Sequence, residues 1–201
     1  TMLSGPAASV MGALMYLRAS NGIYFEVGGT STTIGVIKNG RPAVEYSIVG
    51  GHRTYINSLD VRVLGVAGGS MVRAANNKLV DVGPRSAHIA GLKYAVYTPT
   101  EELGEPELEF FAPKEGDPAD YVRVKLAGGK RVTITNSCAA NVLGYCRPED
   151  YSYGIVESAR RCMKPLADTL GVDVEEAARQ SLHKANDKNQ PVSKELLAKY
   201  R

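Results

Sequence analysis

Residues 23–33 read Ile-Tyr-Phe-Glu-Val-Gly-Gly-Thr-Ser-Thr-Thr, an alternating apolar segment that breaks at two glycines and runs on into four consecutive hydroxyl side chains. Ile23, Phe25 and Val27 alternate with Tyr24 and Glu26, the period of two that a half-buried strand requires. Gly28 and Gly29 carry no Cβ, so backbone N–H groups there can come close to an anion, and Thr30, Ser31, Thr32 and Thr33 add hydroxyl donors. The pattern predicts a strand followed by a turn able to hold phosphate oxygens. Glu26 at the strand end is placed to hold a phosphate-bound Mg2+ or to orient an attacking water. A tight hairpin turn with no ligand is the other reading of the same residues.

Composition narrows the class. At 201 residues with 44% hydrophobic and 22% charged residues, the chain can bury a core and reads as one globular domain or one with a small appendage. A net charge of +3, with no Lys/Arg-rich run interleaved with aromatics, sets nucleic acid aside as a partner. No apolar stretch reaches membrane-spanning length, and the helix expected over Pro6–Ala19 is short and has no basic leader, so a cytoplasmic protein without a membrane partner is expected. Cys138, Cys146 and Cys162 form an odd set without Cys-x-x-Cys spacing, which argues for buried free thiols over disulfides or zinc. His52, His88 and His183 are scattered and form no local motif with them.

Along the chain, helical and strand signals mix. Ala7, Val10, Met11, Leu14 and Leu17 mark the buried face of a first helix that starts at Gly5-Pro6 and stops at Asn21-Gly22. Residues 34–37 and 42–48 read as strands paired about Lys38-Asn39-Gly40-Arg41. Leu59–Val66 reads as a strand ending in the turn Gly68-Gly69-Ser70, whose glycines serve either a ligand or close packing. Strands at 70–75 and 79–82 flank Asn76-Asn77-Lys78. Residues 99–120 are rich in Glu, Pro and Asp, with an edge strand at 108–112, and Glu101, Glu102, Glu105, Glu107 and Glu109 read as a solvated face. Strands at 121–126 and 131–135 turn about Gly128-Gly129. A helix follows Asn136; another carries Ile155, Ala159, Cys162, Met163, Leu166 and Leu170 to Gly171; and Asp173 with Glu176 forms a capping box for a third.

Residues 24–33 resemble the phosphate-binding turn of the hydantoinase/oxoprolinase family, ATP-using enzymes of actin-like fold. Further blocks follow in the order of that family: Ser4-Gly5-Pro6-Ala7-Ala8, Leu59-Asp60-Val61-Arg62 with Leu64-Gly65-Val66-Ala67-Gly68-Gly69-Ser70, Val82-Gly83-Pro84-Arg85-Ser86-Ala87, Thr133-Ile134-Thr135-Asn136-Ser137, and Asn141-Val142-Leu143-Gly144. The chain also departs from the pattern. Glu26 and Thr33 stand where the family has Asp, Arg62 stands for His, Ala67 interrupts a glycine run, Asn136 replaces Asp, and the Pro-Gly-Pro-Ala-Cys-Tyr segment is reduced to Ala90-Gly91-Leu92-Lys93-Tyr94.

The resemblance implies a mixed α/β fold, a ribonuclease H-like or actin-like ATPase half-domain with a mixed sheet, flanking helices and a β-rich insertion. It places that domain at residues 1–182, with the insertion at about 98–132, and leaves 183–201 as a polar tail ending in a short helix. It implies that Gly28, Gly29, Thr30, Ser31 and Thr32 hold phosphate oxygens of ATP, with Mg2+ in the intact protein, that Gly68, Gly69 and Ser70 line the cleft, and that Glu26 lies near the metal or nucleophile. The expected activity is that of the phosphate-binding half of an ATP-dependent hydrolase of cyclic amides such as hydantoin or 5-oxoproline. Only one phosphate turn is present, so weak or absent catalysis is expected without the remaining half of the parent chain or a partner subunit. A non-catalytic actin-like module for assembly or regulation is the alternative, favoured by Glu26, Thr33, Arg62 and Asn136. A carboxylating or acyl-group subunit of the same family is a third.

Overall fold

Short hairpins organise the first third of the chain in the computed structural model, which describes residues 4–18 and 20–200. The expected helix end at Ala19 and the opening Thr1-Met2-Leu3 lie outside the described residues. Helix α1 (Ser4–Leu17) leads into β1 (Gly22–Val27), β2 (Thr32–Lys38), β3 (Arg41–Pro42), β4 (Val44–Val49), β5 (His52–Leu59) and β6 (Val61–Leu64). Asn39 and Gly40, at φ +52° and +69°, join β2 to β3, and Gly50 and Gly51, at +58° and +83°, join β4 to β5. Positive φ at both loop positions lets such a turn follow the right-handed twist of its strands.

Three expectations change here. The segment 42–48 divides: β3 pairs with β2, whereas β4 pairs with β5, a strand the sequence reading left unassigned. The expected strand over 59–66 breaks at Asp60, a buried residue whose carboxylate accepts from Arg62, Lys199 and Tyr200. The first helix also differs from its expected face: Val10 is buried, but Met11 is 49% exposed, because α1 packs on β1 along one side only.

In this first unit β2 is the central strand, antiparallel to β1, β3 and β6. Residues 32–37 are buried throughout, and Ile34 and Val36 form a core with Leu196, against which Ile23, Ala43, Leu64, Val192 and Tyr200 pack. The unit comprises α1, β1 to β6 and the last helix from Asn189 onward.

The second unit comprises Gly28–Ser31 and residues 65–188. Its sheet contains β7 (Ser70–Ala75), β8 (Lys78–Ser86), β9 (Lys93–Tyr94), β10 (Glu107–Phe111), β11 (Tyr121–Lys125) and β12 (Arg131–Thr133), in the order β8-β7-β11-β12-β9 with β10 also on β11. The β12–β9 pair is parallel and the rest antiparallel, so the sheet is mixed, as expected. Helices α2 (Asn136–Val142), α3 (Val156–Leu170) and α4 (Val174–Tyr200) complete the mixed α/β fold.

The acidic run is exposed at Glu101, Glu105 and Glu107, as a solvated face requires, and three of its members also pair with cations. Glu109 accepts from Arg123 at 2.7 Å and Arg131 at 2.8 Å, Glu107 from Lys125 at 2.8 Å, and Glu102 from Lys130. Antiparallel pairing brings opposite charges together across strands, which sequence spacing does not display. Gly171, left-handed at φ +70°, ends α3, and the Glu176 N–H donates to Asp173 Oδ1 at 2.7 Å as the capping reading required. In place of a polar tail with a short helix, α4 runs unbroken through Pro191 to Tyr200, its last turns held by buried Leu196 and by the Lys199 and Tyr200 bonds to Asp60. Among the described residues no helix is long and apolar enough to cross a membrane.

Candidate functional site

The link between β1 and β2 is the turn Gly28–Ser31, closed by the Gly28 N–H donating to the Ser31 carbonyl at 3.1 Å. A second glycine turn fastens onto it. The Gly68 N–H donates to the Gly28 carbonyl at 3.0 Å and the Gly69 N–H to the Gly29 carbonyl at 2.7 Å. The two turns are thus zipped backbone to backbone, and the Gly68 and Gly69 amides face protein carbonyls. A Cβ at Gly69 would lie 2.0 Å from Tyr94 Oη and 2.5 Å from the Gly29 oxygen, and one at Gly68 would lie 2.9 Å from Ser137 Oγ. Of the two uses weighed for this second turn, the observed bonds are those of close packing.

What remains open lies on the first turn. The N–H groups of Gly29, Thr30 and Ser31 meet no acceptor among the described residues. Gly28 and Gly29 are exposed, and Thr30 and Ser31 are half-buried. Three successive amides without partners, at a point where two residues lack Cβ atoms, leave backbone donors that an anion can approach. The Thr30 hydroxyl lies 3.0 Å from Ser86 Oγ, and Ser86 is fully buried, so the turn is anchored from beneath.

The second turn is braced in its own right. Its carbonyls are met by Asn136 Nδ2 at 2.9 Å for Ala67, by the Ser137 N–H at 2.8 Å for Gly68, and by the Ala87 N–H at 2.8 Å for Gly69. Asn136 Oδ1 accepts from Ser181 Oγ at 3.4 Å. The amide side chain is used as donor and acceptor at once, a pairing that a carboxylate cannot supply. This gives a structural account of the Asn where the family pattern has Asp.

The other expected site residues are not among the open amides. Ser70 is fully buried, and its Oγ accepts from the Ala67 N–H at 2.8 Å, stabilising its own turn. Thr32 begins β2, buried, opposite Val27 and Leu64. Glu26 lies exposed on β1 opposite Thr33. Burial, with the Glu26 charge added, pushes the Tyr24 phenol up to about 12. Arg62 pairs with Asp60 at 2.5 Å and Glu195 at 3.5 Å within the first unit. Among the described residues no three His, Cys, Asp or Glu side chains gather to hold a metal ion. Cys138 and Cys162 are buried and Cys146 partly exposed, all as free thiols. Burial raises the Cys138 thiol and pushes that of Cys162 up to about 12, which disfavours a thiolate nucleophile at either.

Ser86 and Tyr94 border the turn but carried no role in the sequence reading. Their signal was their place in the family-like blocks, Ser86 just before the end of one segment and Tyr94 at the end of another.

Residues 1–201 match the family model described as hydantoinase/oxoprolinase. A search of curated proteins finds no match. Among solved structures, the chain is similar to a nucleotide-free acetone carboxylase described under the mechanism of ATP-dependent acetone carboxylation, with a TM-score of 0.57 and 23% identity over 89% of this chain and 22% of that one. It is similar also to the ATP-dependent caprolactamase from Pseudomonas jessenii, with a TM-score of 0.57 and 23% identity over 91% of this chain and 23% of that one. The chain therefore spans less than a quarter of the length of either, and the likeness is one of fold.

Proposed function

Because this chain belongs to the hydantoinase/oxoprolinase family, we propose that it is the phosphate-holding half of an ATP-dependent cyclic-amide hydrolase of the hydantoin or 5-oxoproline type, an actin-like half-domain acting in the cytoplasm. The observation that carries the reading is the row of unpartnered N–H groups at Gly29, Thr30 and Ser31. The description of both solved neighbours as ATP-dependent supports nucleotide use.

The turn fits a phosphate. Its amides supply donors in a row, Gly28 and Gly29 leave the backbone bare, and the zipper to Gly68 and Gly69 fixes the donors before a ligand arrives, which avoids reorganisation on binding. Bound ATP would supply a phosphoryl group to a ring amide oxygen, making the carbonyl carbon open to water. The part of this chain in that chemistry is to bind and orient the phosphate chain, with Glu26 as the carboxylate assigned to the attacking water. The described side chains build no metal cluster, so Mg2+ in this reading arrives on the nucleotide, and no step is derived through it. The small cyclic amide is bound largely by the remaining half of the parent chain or by a partner subunit, and the isolated chain turns over weakly or not at all.

The second reading, a non-catalytic assembly or regulatory module, is favoured by Arg62 and Asn136, both engaged in structural bonds. Titration of a non-hydrolysable ATP analogue with Mg2+ into the protein and into Gly29→Val tests the site. The variant is expected to lose binding at least about tenfold through the steric block at the amides. Equal affinity in the two proteins removes the turn from the site; binding without turnover in the full-length parent selects the module.

A further inference from the structure

We propose that Tyr94 is a further ligand contact, donating its phenolic hydrogen to an oxyanion held at the Gly28–Ser31 turn; this rests on the phosphate reading of that turn. The tyrosine hydroxyl lies against both glycine turns at once, 3.2 Å from where a Cβ of Gly29 would stand and 2.0 Å from that of Gly69. Glycine at these two positions therefore leaves space that the phenol oxygen occupies. That oxygen has no hydrogen-bond partner among the described residues. A hydroxyl with no protein acceptor is free to donate to a bound oxygen, and the open amides of Gly29, Thr30 and Ser31 lie on the turn it touches.

The ring is held in place by its neighbours. Tyr94 sits on β9 opposite Thr133, its carbonyl accepts from Thr98 Oγ1 at 3.1 Å, and its ring centroid is 5.6 Å from that of Tyr97. Burial raises the phenol above its ordinary range, so it keeps its proton at neutral pH and can only donate to an anion. A donor fixed beside a row of backbone amides adds a hydrogen bond to a charged acceptor without adding charge of its own. The ligand chemistry is that of a phosphate oxygen. A rival role is purely steric: the ring fills the room that the glycines leave.

Tyr94→Phe separates the two, because it keeps the ring and removes the hydroxyl. The probe is a non-hydrolysable ATP analogue with Mg2+, titrated by calorimetry into wild type, Tyr94→Phe and Gly29→Val, with melting temperatures taken without probe. The expected result is roughly tenfold weaker binding by Tyr94→Phe at an unchanged melting temperature. If Tyr94→Phe binds as tightly as wild type while Gly29→Val does not, Tyr94 is a packing residue and the phosphate reading survives alone. Absence of probe binding by wild type overturns both. Should Tyr94→Phe fail to fold, 3-fluorotyrosine incorporated at position 94 reports instead: a fluorine shift on adding the probe supports the contact, and an unmoved resonance overturns it.

Discussion

Asn136 shows how one atom decides whether a residue is chemical or structural. Its Nδ2 donates to the Ala67 carbonyl at 2.9 Å while Oδ1 accepts from Ser181. Asn136→Asp exchanges that donor for a carboxylate oxygen facing a carbonyl oxygen in a buried setting, and should lower stability by about 1–3 kcal/mol in urea unfolding. A variant as stable as wild type would show that the donor does not matter. Gly69 is the companion case. Gly69→Ala sets a methyl 2.5 Å from the Gly29 carbonyl oxygen, a backbone atom that cannot move aside cheaply. The expected loss is about 2 kcal/mol or more, read as a lower melting temperature. Neither residue announces this in sequence, since Asn136 and Ala67 are brought together across 69 positions.

At the scale of elements, local chemistry was legible wherever the signal and its partner lie within a few residues. Asn39-Gly40 and Asn76-Asn77 adopt the positive φ that two-residue hairpins need, Gly171 ends α3, and Asp173 caps α4. The strand β5 was missed because His52–Leu59 is largely polar and exposed, although Gly50-Gly51 before it is the same kind of hairpin signal. The length of α4 was missed because its last turns depend on Asp60, more than a hundred positions earlier. Helix α2 is capped by Thr135, whose hydroxyl accepts from the Cys138 N–H at 3.4 Å. Thr135→Ala should cost about 1 kcal/mol in denaturant unfolding, with a loss near zero telling against the cap.

At the scale of the whole molecule, acid is the expected weak point. Asp60 is almost wholly buried; burial pushes its carboxyl up, but bonds from Lys199, Tyr200 and Arg62 outweigh it and hold the group below its ordinary value. Arg131, with Arg123, pulls Glu109 down to about 2. A carboxylate depressed in the folded state contributes stability that is complete above its unfolded value, about 3.9 for Asp and 4.3 for Glu, and fades as pH falls through the folded one. Unfolding free energy should therefore be flat from pH 7 to about 5 and decline toward pH 2. Asp60→Asn should be less stable at pH 7 and show a shallower decline below pH 4; an unaltered slope would remove Asp60 as a contributor.

The family, the mixed α/β class, most strands and the position of the glycine turn between β1 and β2 follow from residue order, because periodicity, glycine placement and turn chemistry act over short stretches of chain. Which amides stay open, why Gly68 and Gly69 must be glycines, and where the Tyr94 hydroxyl ends up were decided by tertiary structure alone. Each depends on a hydrogen-bond partner or a close approach dozens of residues away, and a backbone donor becomes available or occupied only when that distant carbonyl arrives.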